Sequence, residues 1–241
     1  MNGDRFRTTQ WSLVLSAREH ATTESRQALA RLCEAYWAPL YAFVRRQGYD
    51  VDDARDLTQG YFCVLIDKAY LADVDPRAGR FRSFLLASLK HHLSHERERE
   101  RAKKRGGGTI HLSFDVELAE KRYRDAFAEQ VTAETMYERR WAQTLLERTK
   151  DRLRKEFEER GKRRHYELLK SHLTGGSGES TALDAATELG TSEGNVRVTV
   201  HRMRRRFGEL LREEVAQTVA DPAHVEDELR HLLTVVAEDP V

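Results

Sequence analysis

Leu29, Leu32, Cys33, Tyr36, Trp37, Leu40, Phe43 and Val44 recur at steps of three and four, the spacing that lays one apolar stripe along an α-helix. Nowhere does a run alternate apolar and polar at a period of two between turn clusters, as a sandwich or barrel requires. The expected fold class is therefore all-α. Charged side chains make up 34% of the 241 residues and the apolar set only 39%, too little for one thick core. Two small helical domains joined by a linker fit that ratio, because small bundles bury a smaller fraction of their surface.

Pro39 removes a backbone donor and predicts a kink or restart in the first long helix, which Gly48 then stops. A helix over 52–67 places Ala54, Leu57, Tyr61, Phe62, Leu65 and Ile66 inward and Asp53, Arg55, Asp56 and Gln59 outward. After a turn at 75–79, Phe81, Phe84, Leu85, Leu89 and Leu93 drive a long helix that the glycines at 106–108 break. Residues 109–131 read as a linker with a weak helix over 118–127. Tyr137, Trp141, Leu145, Leu153 and Phe157 predict a helix to about residue 160, with Gly161 at its end. A short helix over 166–173, a glycine loop at 175–178, and two helices around 183–189 and 196–214 follow. Asp221 and Pro222 start a C-terminal tail helix with Val225, Leu229, Leu232, Leu233 and Val236 on one face. The expected organisation is a four-helix domain over 1–105, a linker over 106–132, a second domain over 133–214 and an acidic tail helix over 215–241.

Several functions are excluded by the same residues. No apolar run is long enough to insert in a membrane, and the N-terminal residues lack the apolar core of a signal peptide. Cys33 and Cys63 form no CxxC pair and read as buried reduced thiols, so a cytoplasmic location is expected. No nucleophile–base pair appears, so no enzyme and no cofactor are expected. His91 and His95 share a helix face, but no third ligand accompanies them and no metal is expected. The glycines at 106–108 lack the Gly-Lys-Ser/Thr of a phosphate loop and read as a hinge.

Charge distribution is more informative than the net charge of +1. Residues 82–105 hold eight bases against three acids, 197–206 hold five arginines and no acid, and 213–241 hold eight acids and one arginine. The second basic stretch follows Ala185-Ala186-Thr187-Glu188-Leu189-Gly190-Thr191-Ser192, in which Ala186 permits close helix approach, Gly190 turns the chain and Ser192 caps the next helix. That is a helix-turn-helix pattern whose second helix suits a major groove. Ser192, Asn195, Arg197, Thr199, Arg202 and Arg205 are its candidate duplex-DNA contacts. In the first basic stretch, aromatic and cationic residues suit an unstacked single strand, while core packing of Phe81 and Phe84 is the competing reading.

Three segments then resemble one family in its own order. Asp53-Ala54-Arg55-Asp56-Leu57-Thr58-Gln59 resembles the DAEDLTQ signature of extracytoplasmic-function (ECF) sigma factors of the sigma-70 family. Gly79-Arg80-Phe81-Arg82-Ser83-Phe84-Leu85 resembles the entry to that family's promoter-melting helix, and Gly194-Asn195-Val196-Arg197-Val198-Thr199-Val200-His201-Arg202 resembles its GTVKSRLHR motif. Arg55 stands where the family usually has an acid, and His91 where an asparagine is common.

The resemblance implies an RNA polymerase sigma factor that directs transcription initiation by binding core polymerase through the β′ clamp helices and β subunit. It places Asp53, Asp56 and Gln59 at the polymerase. Arg80, Arg82, Phe84, Lys90, His91 and Arg97 fall at the −10 element, and the helix-turn-helix residues at the −35 element of promoter DNA. An anti-sigma factor or a Ser/Thr kinase would be the restraining partner. The rival expectation is a stand-alone helix-turn-helix transcriptional regulator that does not bind core polymerase. Two regulatory expectations accompany these. The acidic tail either packs as an extra helix or folds onto the basic helices and weakens DNA binding. Phosphorylation of Thr58 would return negative charge to the face where Arg55 replaces an acid.

Overall fold

The structure, a computed structural model, describes residues 10–16, 23–66, 80–102, 116–125, 131–173 and 182–238. Ten α-helices and no strands occur among them. No described helix is long and apolar enough to cross a membrane. The expected turn at 75–79, the glycine break at 106–108 and the loop at 175–178 lie outside the described residues. Contacts divide the chain into two compact units, Met1–Thr144 with Val215–Val241, and Leu145–Glu214. The cut falls inside a helix at 144/145, and residues 215–241 group with the first unit.

In the first unit, α1 (Gln10–Ser16) and α2 (Thr23–Arg46) pack together through Trp11, Val14 and the predicted stripe. All eight stripe residues of α2 are buried. The helix does not restart at Pro39, because burial of the stripe on both sides offsets the roughly 3 kcal/mol an internal proline costs. Gly48, at φ +96°, ends it as expected.

Asp50 accepts the Asp53 N–H at 2.8 Å and caps α3 (Val51–Ile66), which buries Ala54, Tyr61, Phe62 and Leu65. The helix α4 (Phe81–Ala102) buries Phe81, Leu85, Leu89 and Leu93, and the Tyr61 hydroxyl donates to the Leu85 carbonyl at 3.2 Å.

The expected linker contains more structure than its sequence suggests. There α5 (Val116–Asp125) packs on α2, because Glu120 is buried and accepts the Tyr41 hydroxyl at 2.6 Å and the Arg45 guanidinium at 3.0 Å. Tyr123 joins Ala42 and Met136 in a small core cluster. Cys33 is buried and Cys63 half-buried, neither in a disulfide, and burial pushes each thiol up.

Two helices contribute to both units. The first, α6 (Ala133–Glu159), starts where the Thr132 hydroxyl accepts the Thr135 N–H, and ends before Gly161 at φ +68°. Next come α7 (Arg163–Leu169), a 3-10 turn at Lys170–His172, α8 (Ala182–Leu189) and the second shared helix, α9 (Glu193–Ala216). Leu153, Tyr166, Leu169, Ala185, Val196 and Met203 form the core of the second unit.

After α9 the chain returns to the first unit. Phe81 N–H donates to the Thr218 carbonyl at 2.9 Å, Trp11 N–H to the Gln217 carbonyl at 3.1 Å, and Arg80 forms a single antiparallel bridge with Val219. Asp221 caps the turn at Pro222 by accepting the Ala223 N–H. The tail helix α10 (Val225–Ala237) buries Val225, Glu228, Leu232 and Val235. Its expected inner face is therefore corrected: Leu229 and Val236 are half-buried flanks, Leu233 is 59% exposed, and a carboxylate takes a core position.

Candidate nucleic-acid interface

In the second unit a short turn joins α8 to α9, built from backbone chemistry that its residue types dictate. At the end of α8, Gly190 adopts φ +62°, a region that a residue with a Cβ enters at a cost. The Gly190 N–H donates to the Thr187 carbonyl at 3.2 Å and the Thr191 N–H to the Ala186 carbonyl at 2.9 Å, which satisfies carbonyls the helix end leaves open. Ser192 then caps α9, its hydroxyl accepting the Asn195 N–H at 3.3 Å. Ala185 and Ala186 are buried, with no long side chain to hold the neighbouring helix away.

Along α9, Asn195, Arg197, Arg202 and Arg205 are exposed. Thr199 is half-buried and donates its hydroxyl to the Asn195 carbonyl. Arg197 pairs with Glu193 at 2.5 Å and Arg205 with Glu209 at 3.2 Å, both as surface pairs worth little against a phosphate. Arg202 has no partner among the described residues.

The remaining two arginines of the basic run serve the fold. Arg206 spans Glu156 at 2.7 Å and Glu209 at 3.1 Å, and these bonds hold its guanidinium well above its ordinary pKa. Arg204 donates to the His172 carbonyl at 2.7 Å. The run of arginines alone does not disclose this split, although the acids at 156 and 209 are its visible signal.

In the first unit the predicted residues divide into outward and inward sets. Asp53 and Asp56 are exposed on α3, where Arg55 sits 3.1 Å from both Asp52 and Asp56 and neutralises part of that face. Gln59, expected outward, is instead 5% exposed, because it lies three residues before Phe62 and flanks the buried stripe. Thr58 is wholly buried one turn after Ala54, to whose carbonyl its hydroxyl donates at 2.6 Å. A kinase therefore finds no presented hydroxyl there, which corrects the expected modification.

On α4, Lys90, His91 and Arg97 are exposed. Lys90 pairs with Glu134 at 2.7 Å, and that contact holds the Glu134 carboxyl below its ordinary pKa. Arg97 donates to the Tyr49 hydroxyl at 2.8 Å, and the His91 and His95 rings meet at 3.3 Å between their Nε2 atoms. No group of three metal-ligating side chains forms among the described residues.

The first turn of α4 differs from expectation. Phe84 is half-buried and stacks on Trp11 at 5.3 Å, while Phe81 lies in the core, so packing claims both rings. Arg80 reaches Glu228 at 3.2 Å. Arg82 is 6% exposed and held by Glu228 at 2.5 Å and Glu138 at 2.6 Å, with its guanidinium 5.1 Å over the Trp141 ring. Burial opposes its charge, but the two carboxylates outweigh burial and keep its pKa above the ordinary value. The expected strand-facing cation is thus a buried tie to the tail helix, because its partners lie far from it in sequence. No family model, curated protein or solved structure matches the chain.

Proposed function

We propose that this chain is a promoter-specificity subunit of bacterial RNA polymerase, a sigma factor of the extracytoplasmic-function kind. Its mechanism is binding: polymerase supplies the chemistry of RNA synthesis, and this chain selects where synthesis starts. The observation that carries the reading is the capped turn at Gly190–Ser192, which launches a helix presenting Asn195, Arg197, Arg202 and Arg205 to solvent. Arginine and asparagine at successive turns of such a helix suit guanine and adenine edges in a major groove, with neighbouring arginines on phosphates.

The division of labour runs by domain. In the helix-turn-helix domain, α9 would read the −35 element as duplex. In the first unit, Asp53 and Asp56 would face the β′ clamp helices, and the exposed Lys90, His91 and Arg97 of α4 would follow the unwound −10 strand. Aromatic and cationic contacts to a melted strand suit that role. The order of the three family-like segments supports the same assignment.

Run-off transcription tests it. Purified core polymerase with the full chain should initiate at discrete sites on genomic fragments, and Asp56→Arg should abolish both association and initiation. Absence of any core-polymerase association would overturn the reading.

A second reading, a helix-turn-helix regulator that works without core polymerase, is favoured by one observation. Arg80, Arg82 and Phe84 are occupied by Glu228 and Trp11, and Gln59 is buried, so part of the family-like surface is closed. Such a regulator would bind its DNA site with unchanged affinity in the presence or absence of polymerase.

A further inference from the structure

Beside the outer face of α9, the second unit holds a cleft of about 390 Å³. Its floor is apolar, formed by Phe157, Leu189, Val196 and Met203. Arg160 and Lys162 of the connection between α6 and α7, His165 of α7, and Arg202 and Arg206 of α9 add basic groups to its lining. Thr191, Asn195 and Thr199 add neutral hydrogen-bonding groups, and among the described residues no acidic side chain lines the space.

The cations there are not equivalent. Arg206 is neutralised by Glu156, Glu209 and Glu213, and Arg160 lies 3.7 Å from Glu156. Lys162 and Arg202 are exposed and have no ion-pair partner among the described residues. Two uncompensated cations lining one acid-free cleft create a local positive potential that the chain itself does not cancel. A cleft of this size, with an apolar floor and a few convergent polar groups, has the composition of a ligand site.

We propose that the cleft is a phosphate-ester site, holding a phosphate between Lys162 and Arg202 with the attached sugar or base against the Phe157–Met203 floor. A planar guanidinium and a mobile ammonium are complementary donors for such a group. The same chemistry is offered by a free nucleotide and by the backbone of a duplex. Asn195, Thr199 and Arg202 are shared with the face proposed above to read DNA, so the duplex source rests on that reading and the free-nucleotide source does not.

The two sources separate in one set of measurements on the full chain. ATP is titrated by calorimetry, and a short duplex carrying a site found by run-off or selection is titrated by anisotropy across a salt series. Lys162→Ala and Arg202→Ala are compared with Lys155→Ala, an exposed lysine outside the cleft. If a free nucleotide fills the site, ATP binds and each cleft variant weakens it about tenfold, the loss of one charge-assisted contact. If the duplex fills it, each cleft variant lowers the salt slope by about one and weakens binding to all sequences alike. Lys155→Ala changes neither. Unchanged ATP and duplex binding in a folded Lys162→Ala protein overturns the site, even where Arg202→Ala still impairs the duplex and the DNA-binding reading stands. ATP binding without any duplex binding leaves the site standing and overturns the DNA-binding reading.

Discussion

Arg82 of α4 and Glu228 of α10 lie 146 positions apart in sequence and share a buried ion pair, Nε to Oε1 at 2.5 Å. Glu228 is 1% exposed and also lies 3.2 Å from Arg80, while Glu138 holds the other side of Arg82. The Tyr137 hydroxyl donates to the Arg82 carbonyl at 2.9 Å, and His231 of α10 meets Glu138 at 3.0 Å. Two acids, two arginines and a histidine thus join the start of α4 to the tail helix.

Breaking one partner of a buried pair leaves the other charge desolvated and uncompensated. Glu228→Ala should therefore destabilise the chain by about 3 kcal/mol in urea unfolding. The double variant Arg82→Met with Glu228→Leu should recover part of that loss, because apolar side chains of similar size need no partner there, while Glu138 and Arg80, which each lose a contact, are less buried. An additive double variant would show that the two residues do not interact.

The same geometry separates a structural arginine from a proposed DNA contact. Arg82→Gln should lower stability by about 3 kcal/mol while leaving the single-strand affinity of the free chain unchanged. Arg97→Ala and Lys90→Ala, on exposed side chains, should weaken single-strand binding severalfold and reduce its salt dependence by about one unit each. Filter binding over a salt series distinguishes the outcomes.

The turn between α8 and α9 has its own test. Ser192→Ala should cost about 1 kcal/mol by removing the cap of α9. Gly190→Ala should cost about 1 kcal/mol, since a Cβ at φ +62° is strained although it would meet no atom within 4 Å. Thermal unfolding followed by circular dichroism reads both.

Acidification acts through His92, which is 6% exposed and packs 5.7 Å from the Tyr61 ring. Burial lowers its pKa in the folded chain below the ordinary value of 6.5, so the unfolded chain binds the proton more readily. Stability is then full above pH 6.5 and falls as pH drops from there toward the depressed folded value, with a slope of at most about 1.4 kcal/mol per pH unit for one proton. Urea midpoints at pH 7.5 and pH 5.5 check the sign, and His92→Gln should flatten the difference.

Local periodicity makes the α2 stripe, the glycine stops at Gly48, Gly161 and Gly190, and the α8–turn–α9 motif legible in the amino-acid order alone. Each depends on residues within a few turns of one another. Charged and polar residues in core positions are not legible in that way. Glu228 reads as a surface acid until Arg82 is known to meet it, and Glu120 reads as part of a linker until Tyr41 and Arg45 reach it. Apolar counting assigns every such residue to the outside, which is why it rotates α10 toward Leu233, turns Gln59 outward and makes a linker of α5. At the candidate site the error runs the same way: a run of five arginines announces a basic face, but the acids that neutralise Arg206 lie on another turn or another helix.

The hydrogen bonds from Trp11 to Gln217 and from Phe81 to Thr218 have a consequence for synthesis. The first unit is assembled from two stretches of chain, up to residue 144 and from residue 215 onward, with residues 145–214 between them. On a ribosome its early helices must therefore wait, with the start of α4 uncovered, until residues 215–238 have left the exit tunnel. A nascent chain halted before residue 215 would carry that unit permanently unfinished.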